Sequence, residues 1–219
     1  LNSGTITQLD SVTWAGDAES GLWSAADSWL NGAIPDNDNV ASVTIPENFS
    51  TTLDADSFGT FSSAIVNSGT IILNNANNYE LSNALSGAGT FRFSGDGAIT
   101  LSGNNSHTGI TDITDSSLTI DHANALGSST LASSDGSLSI SSGLTLDNLT
   151  TTGALKLLTD VNTTNDQTYG GNIEVLAGSA ADPLEINSIS GDITFNGTLT
   201  AGAGSKAATR SLSINSNYK

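Results

Sequence analysis

His107 and His122 are the only imidazoles in the chain. Both lie in the segment LSGNNSHTGITDITDSSLTIDHANALGSSTL (101–131), with Asp112, Asp115 and Asp121. Ser106, His107 and Asp112 supply the residue types of a nucleophile, a general base and an orienting carboxylate. Adjacency in sequence is not triad geometry, however, and no G-x-S-x-G elbow presents a serine. Solvated or turn-capping histidines are the simpler expectation at both positions.

Paired carboxylates are the second candidate chemistry, because glycan-cleaving enzymes work with two acidic groups flanking the scissile bond. The pairs are Asp36/Asp38, Asp54/Asp56, Asp112/Asp115 and Asp182/Glu185. Asp54 and Asp56, two apart on a strand, would share a face. Almost none of these pairs has a basic neighbour, and in a chain rich in turns, acidic residues at such spacing serve solvation and turn formation. We therefore expect no catalysis. Asp36 and Asp38 are the candidate metal ligands, since Asp36-Asn37-Asp38-Asn39 is dense in the hard oxygen donors that suit Ca²⁺. Counted as an EF-hand loop from Asp36, the twelfth position is Glu47, as required. Val40 at the fifth and Ala41 at the sixth break the pattern. A polar loop following Pro35 explains the stretch without a metal, and no other cofactor is indicated. Thr108, Thr111 and Thr114 suggest a hydroxyl-rich surface, but their spacing does not recur from unit to unit.

Charge narrows the partners. The 219 residues carry a net charge of −17, and the only basic residues are Arg92, Lys156, Lys206, Arg210 and Lys219. Nucleic acid is excluded, because its binding depends on Lys and Arg neutralising phosphates. Adsorption to an anionic membrane is disfavoured by the same sign. No run of about 18 apolar residues is present to span a bilayer. Neutral glycans, cationic surfaces, other proteins and divalent cations bridging carboxylates are the compatible partners, and self-repulsion leads us to expect a monomer. There is no cysteine, so disulfides and thiolate metal sites are ruled out, consistent with an exported protein. The first residue is Leu1, from which we expect a portion of a longer protein whose signal and anchor lie elsewhere.

Ser, Thr, Asn, Gly and Asp interleaved with single Leu, Ile and Val residues describe short strands joined by polar turns. Strand signatures recur at SGTIIL (68–73), AGTFRF (88–93), SSLTI (116–120), GSLSI (136–140), GALKLL (153–158), GNIEVL (171–176), GDITF (191–195) and SLSI (211–214). One apolar marker from each (Ile71, Phe91, Leu118, Leu138, Leu155, Ile173, Ile193, Leu212) gives steps of 20, 27, 20, 17, 18, 20 and 19 residues. An enlarged rung containing Ala98–Leu101 accounts for the long step. Nothing shows helical spacing. A period near 20 with alternating apolar and polar residues is the pattern of an all-β, right-handed parallel β-helix. Eight or nine coils are expected over 51–219, forming one continuous domain with what precedes it. An antiparallel sandwich explains the strand density but not the constant step. Asn74-Asn75, Asn77-Asn78, Asn104-Asn105, Asn124 and Asn196-Gly197 are expected at left-handed corner positions. Residues 1–50 hold all three tryptophans, Trp14, Trp23 and Trp29, and are read as an N-terminal cap or first coils. Buried packing is favoured over an exposed carbohydrate-binding platform.

The segment 87–131 resembles the passenger-associated repeat of bacterial autotransporters. The match runs through Ser102-Gly103, Asn105, Thr108-Gly109, Thr111, Leu118-Thr119-Ile120 and Ala123-Asn124-Ala125-Leu126-Gly127. His107 departs from it, standing where an aromatic Tyr is usual, as do Ile110 and Asp112. Residues 164–215 are similar to repeats of filamentous-haemagglutinin-type adhesins, and 14–45 is like segments that open β-helical stretches in such proteins. The resemblance implies a passenger or adhesin segment at the bacterial cell surface, exported across the outer membrane. It implies a β-helical stalk and adhesion module whose partners are glycans or proteins of host or neighbouring cells. Polysaccharide cleavage and assistance to secretion are the alternatives.

Overall fold

The computed structural model describes residues 10–16, 21–30, 32, 34–36, 39–53, 61–176, 183–202 and 212–216. Within them the chain winds as a parallel β-solenoid with no α-helix, its only helical element being the 3-10 turn Ala26–Ser28. Three-sided coils stack because a short strand cannot bury its own apolar face, whereas a neighbour in register covers it and completes its backbone hydrogen bonds. The longest wall has nine parallel strands, from Gly21–Leu22 to Ile193–Phe195. A second wall has seven, from Tyr79–Leu81 to Leu199–Ala201. The third side is a four-stranded sheet on the early coils and a three-stranded sheet on the late ones. Between these, on the middle coils, it consists of turns.

Register is held residue by residue. On the long wall Thr51, Ile71, Phe91, Thr111, Leu131 and Thr151 lie one above another, each 20 residues after the last. On the second wall Tyr79, Ile99, Leu118, Leu138, Leu157 and Val175 form a column, and Leu81, Leu101, Ile120 and Ile140 another. From Ile99 to Val175 and from Leu81 to Ile140 these residues are buried, and the columns are the core.

The solenoid makes about six turns, not the eight or nine expected. The seven strands of the second wall are separated by six circuits of the chain. The ends spend residues on longer excursions instead of closing at the 20-residue step. Gly21 pairs with Thr51, Val175 with Ala201 and Leu184 with Leu212. The 27-residue step from Phe91 to Leu118 is no enlarged rung either. Phe91 pairs with Thr111 on the long wall and Leu118 with Ile99 on the second, so the marker series changes wall there.

The corner asparagines also work differently from expectation. Among described residues, the non-glycines with positive φ are Asn48, Asp115 and Asp135. None of the predicted asparagines is among them. Instead, inward asparagines hydrogen-bond the backbones of neighbouring coils. Asn105 Oδ1 accepts from the Leu85 amide at 2.9 Å and its Nδ2 donates to the Ala125 carbonyl at 2.6 Å, bridging three coils. Asn83 Nδ2 donates to the carbonyls of Phe61 and Ser63 at 3.0 and 2.9 Å. Left-handed backbone is used at the corner between the two long walls, where Gly95, Asp115, Asp135 and Gly153 succeed one another.

At the N-terminal end the tryptophans are buried and packed edge to face. Trp29 lies 4.8 Å from Trp14 and 4.7 Å from Trp23, between ring centroids. Trp29 Nε1 donates to the Trp23 carbonyl at 2.8 Å. This is the packing arrangement, since an exposed platform would leave ring faces open to solvent.

Gly153 and Gly143 both have positive φ, but a Cβ at Gly153 would collide with the Ser133 carbonyl oxygen, while one at Gly143 meets nothing within 4 Å. Gly143→Ala should therefore cost only the backbone strain, about 1 kcal/mol. Gly153→Ala should cost about 3 kcal/mol or more, because the preceding coil has to move. Urea unfolding of the two variants measures the difference.

Candidate functional site

Ser106, His107 and Asp112 do not come together as a triad. Residues 105–108 alternate across the wall: Asn105 and His107 are buried, Ser106 and Thr108 exposed. Ser106 and His107 thus face opposite ways. Thr111 and Asp112 part similarly, Thr111 inward and Asp112 outward to Arg92, whose Nε donates to Asp112 Oδ2 at 2.9 Å. Burial of Asp112 opposes its ionisation. Hydrogen bonds from the Thr114 hydroxyl and amide, together with the Arg92 guanidinium, outweigh that burial and hold the carboxyl below its usual range.

His107 is not the solvated residue expected. It is fully buried, 5.3 Å from Phe91 in an edge-to-face contact, with Nε2 2.9 Å from Thr111 Oγ1. Thr111 Oγ1 lies 2.9 Å from Ser129 Oγ, which donates to the Leu126 carbonyl at 2.7 Å. That carbonyl can only accept, so the directions of the whole relay follow. Ser129 accepts from Thr111, Thr111 accepts from His107, and the imidazole proton sits on Nε2. Nδ1 is a bare, buried lone pair with no hydrogen-bond partner among the described residues. Burial lowers the His107 pKa from 6.5 to about 4. His122 does cap a turn: its Nδ1 accepts from the Asn124 amide at 3.0 Å.

Of the acidic pairs, Asp54, Asp56, Asp38 and Asp182 lie outside the described residues. Asp36 Oδ1 accepts from the Asn39 amide and Asn39 Oδ1 from the Asp36 amide, both at 2.9 Å, a closed polar turn. Among the described residues no group of three or more His, Asp or Glu side chains comes together around a possible metal position.

Thr108, Thr111 and Thr114 form no row, for Thr111 is buried. A hydroxyl row does run along the outside of the long wall through Ser50, Thr70, Thr90, Thr130, Thr150, Thr168 and Thr194, interrupted by Ile110. The 20-residue spacing from Ser50 to Thr150 was legible in the sequence, once the wall was known.

A candidate site with no local signature in the sequence lies at the corner between the second wall and the third side. A cleft of about 310 Å³ opens there, presenting Ser141, Ser142, Thr159, Asp160 and Asn162. Its apolar lining includes Leu144, Leu158 and Pro183. Three successive coils contribute. The cleft exists because strand Gly136–Ile140 is followed on the next coil by the shorter Leu155–Leu157, so the ladder ends early. Thr159 Oγ1 takes over as acceptor for the Ile140 amide at 2.7 Å. Asp160 Oδ1 accepts from the Glu185 amide at 2.8 Å, and Asn162 Oδ1 from Asn187 Nδ2 at 2.9 Å. The second Asp160 oxygen, Asn162 Nδ2 and the hydroxyls of Ser141 and Ser142 have no hydrogen-bond partner among the described residues. A volume of this order is at the small end of ligand sites.

Comparison with protein-family models, with curated proteins and with solved structures returns no match. No helix among the described residues is long and apolar enough to cross a membrane.

The His107 relay makes stability pH-dependent. The folded-state pKa is depressed, so the folded protein binds fewer protons than the unfolded chain between about 4 and 6.5. The stability of the neutral imidazole is fully present above pH 6.5 and lost as pH falls towards 4, by about 3 kcal/mol. His107→Phe should remove that part of the acid sensitivity. Denaturant unfolding of both proteins at pH 7.5 and 4.5 checks it, and parallel losses in the two would refute the assignment.

Proposed function

We propose that this chain is a segment of an exported bacterial surface protein of the autotransporter-passenger or filamentous-haemagglutinin type. Its role is that of a β-helical stalk bearing an adhesion site, without catalysis. The observation that carries this is the single-file stack of coils with a largely apolar interior and a polar exterior. About six turns at ~4.8 Å each make a rod about 29 Å long. Such a rod projects whatever its sides bear, and further coils extend it without changing its section. Right-handed winding follows from the strong preference of parallel crossovers for that hand. The buried tryptophans would close the first coils as a cap. The net charge of −17 suits a monomer at a bacterial cell surface that meets neutral glycans or proteins of host or neighbouring cells.

A contribution to secretion is the second reading. It is supported by strand ladders that join only coils adjacent in the stack, so that folding can proceed coil by coil.

The chain immobilised on beads should adhere to cells and to arrayed neutral glycans and leave every glycan intact by mass spectrometry. Shortened glycans, or an absence of adhesion, would overturn the proposal. Deleting the segment from its parent should lower surface display if the secretory reading holds. The role needs no cofactor. If Asp36 and Asp38 do hold Ca²⁺, millimolar calcium raises the melting temperature and EDTA reverses it; an unchanged melting curve removes them as ligands.

A further inference from the structure

We infer that the corner cleft formed by 141–144, 158–162 and Pro183–Leu184 is a binding site for a neutral saccharide unit. This rests on the adhesion reading and names the ligand class of that role. The cleft combines two kinds of surface that a sugar ring also combines. Leu158, 37% exposed, and Pro183 offer an apolar face to ring C–H groups. Around them stands a mixed set of donors and acceptors whose remaining capacity points away from the protein's own hydrogen bonds.

The commitments already described make the set specific. Asp160 Oδ1 is held by the Glu185 amide, which fixes the carboxylate and leaves its other oxygen to accept from a hydroxyl. Asn162 is held through Oδ1 by Asn187, which leaves its Nδ2 as a donor. Asn187 Oδ1 in turn accepts from Asn215 Nδ2 at 2.7 Å, so the amide ladder that orients Asn162 runs over three coils. Thr159 accepts from Ile140, which leaves its hydroxyl hydrogen to donate. Ser141 and Ser142 can do either. An oriented carboxylate acceptor beside an oriented amide donor matches a pair of neighbouring sugar hydroxyls, each of which donates and accepts.

Other ligand classes fit less well. An anion would meet Asp160 in a protein of net charge −17. A cation would find one carboxylate, but the amide and hydroxyl hydrogens beside it would stay unsatisfied. A long apolar ligand would strand all five polar side chains. The volume of about 310 Å³ suits one or two sugar rings, not a longer chain.

The test is a titration of the intact chain by calorimetry and saturation-transfer NMR. The probes are neutral mono- and disaccharides, one sialylated trisaccharide and tetralysine. Asp160→Asn keeps an acceptor for the Glu185 amide and removes the charge, and Ser142→Ala alters an exposed hydroxyl with no protein partner. A neutral sugar should bind, and each variant should weaken it at least about tenfold, with circular dichroism and melting temperature unchanged. Preference for tetralysine or the sialylated sugar would overturn the inference. So would neutral-sugar binding unaffected by both variants, and that result leaves adhesion standing at another place. If the wild-type chain binds cells but no sugar, the cleft assignment fails alone; if it binds neither, the adhesion reading fails with it.

Discussion

Every coil in this molecule sits in hydrogen-bonded register on the one before, and that constraint sets the chemical environment of nearly every side chain. A residue's neighbours are its counterparts about 20 positions away, at ~4.8 Å, not the residues beside it in sequence. Like therefore stacks on like. Ile120 lies on Leu101 and under Ile140, and Asn162, Asn187 and Asn215 pass hydrogen bonds along an amide ladder. Like charges stacked in this way repel. Where Asp112 meets Arg92, the ladder instead places opposite charges together.

The same stacking makes the interior demanding for polar groups. Thr51, Thr111 and Thr151 occupy one inward column with Ile71, Phe91 and Leu131, and each is fully buried. A hydroxyl there must find an acceptor inside the coil or remain unsatisfied, at about 1–3 kcal/mol. Thr51 reaches the Gly21 carbonyl at 3.3 Å, and Thr111 is satisfied by the His107–Ser129 relay. Thr151 Oγ1 has no hydrogen-bond partner among the described residues. Further along the same wall Gln167 solves the problem more fully. Its Nε2 donates to the Asn187 carbonyl at 2.7 Å and its Oε1 accepts from Tyr169, whose ring stacks on Phe195 at 4.8 Å.

The cleft follows from a break in the same regularity. Twenty-residue coils give continuous walls with no concavity. From Leu138 onward the second-wall steps run to Leu157, Val175 and Ala201, first shortening and then lengthening. Where the ladder cannot continue, Thr159 supplies a side-chain acceptor and the corner opens. Concavity and unengaged polar groups thus arise together, at the place where coil length changes.

The sequence by itself determined the solenoid, because alternation of apolar and polar residues and a period near 20 are both properties of a string. It also determined the acidic composition and the lack of thiol chemistry, and it favoured buried packing for Trp14, Trp23 and Trp29, which the structure shows. Tertiary structure decided which wall each strand joins, and hence how many turns form, because Phe91 and Leu118 look alike as strand residues yet pair on different walls. It decided the fate of the histidines: one step of alternation turns His107 inward, where burial holds it neutral, and leaves Ser106 outside. It decided the cleft as well. Ser141, Asp160 and Pro183 meet only because three coils overlie one another, and no local motif marks residues whose nearness is a matter of register.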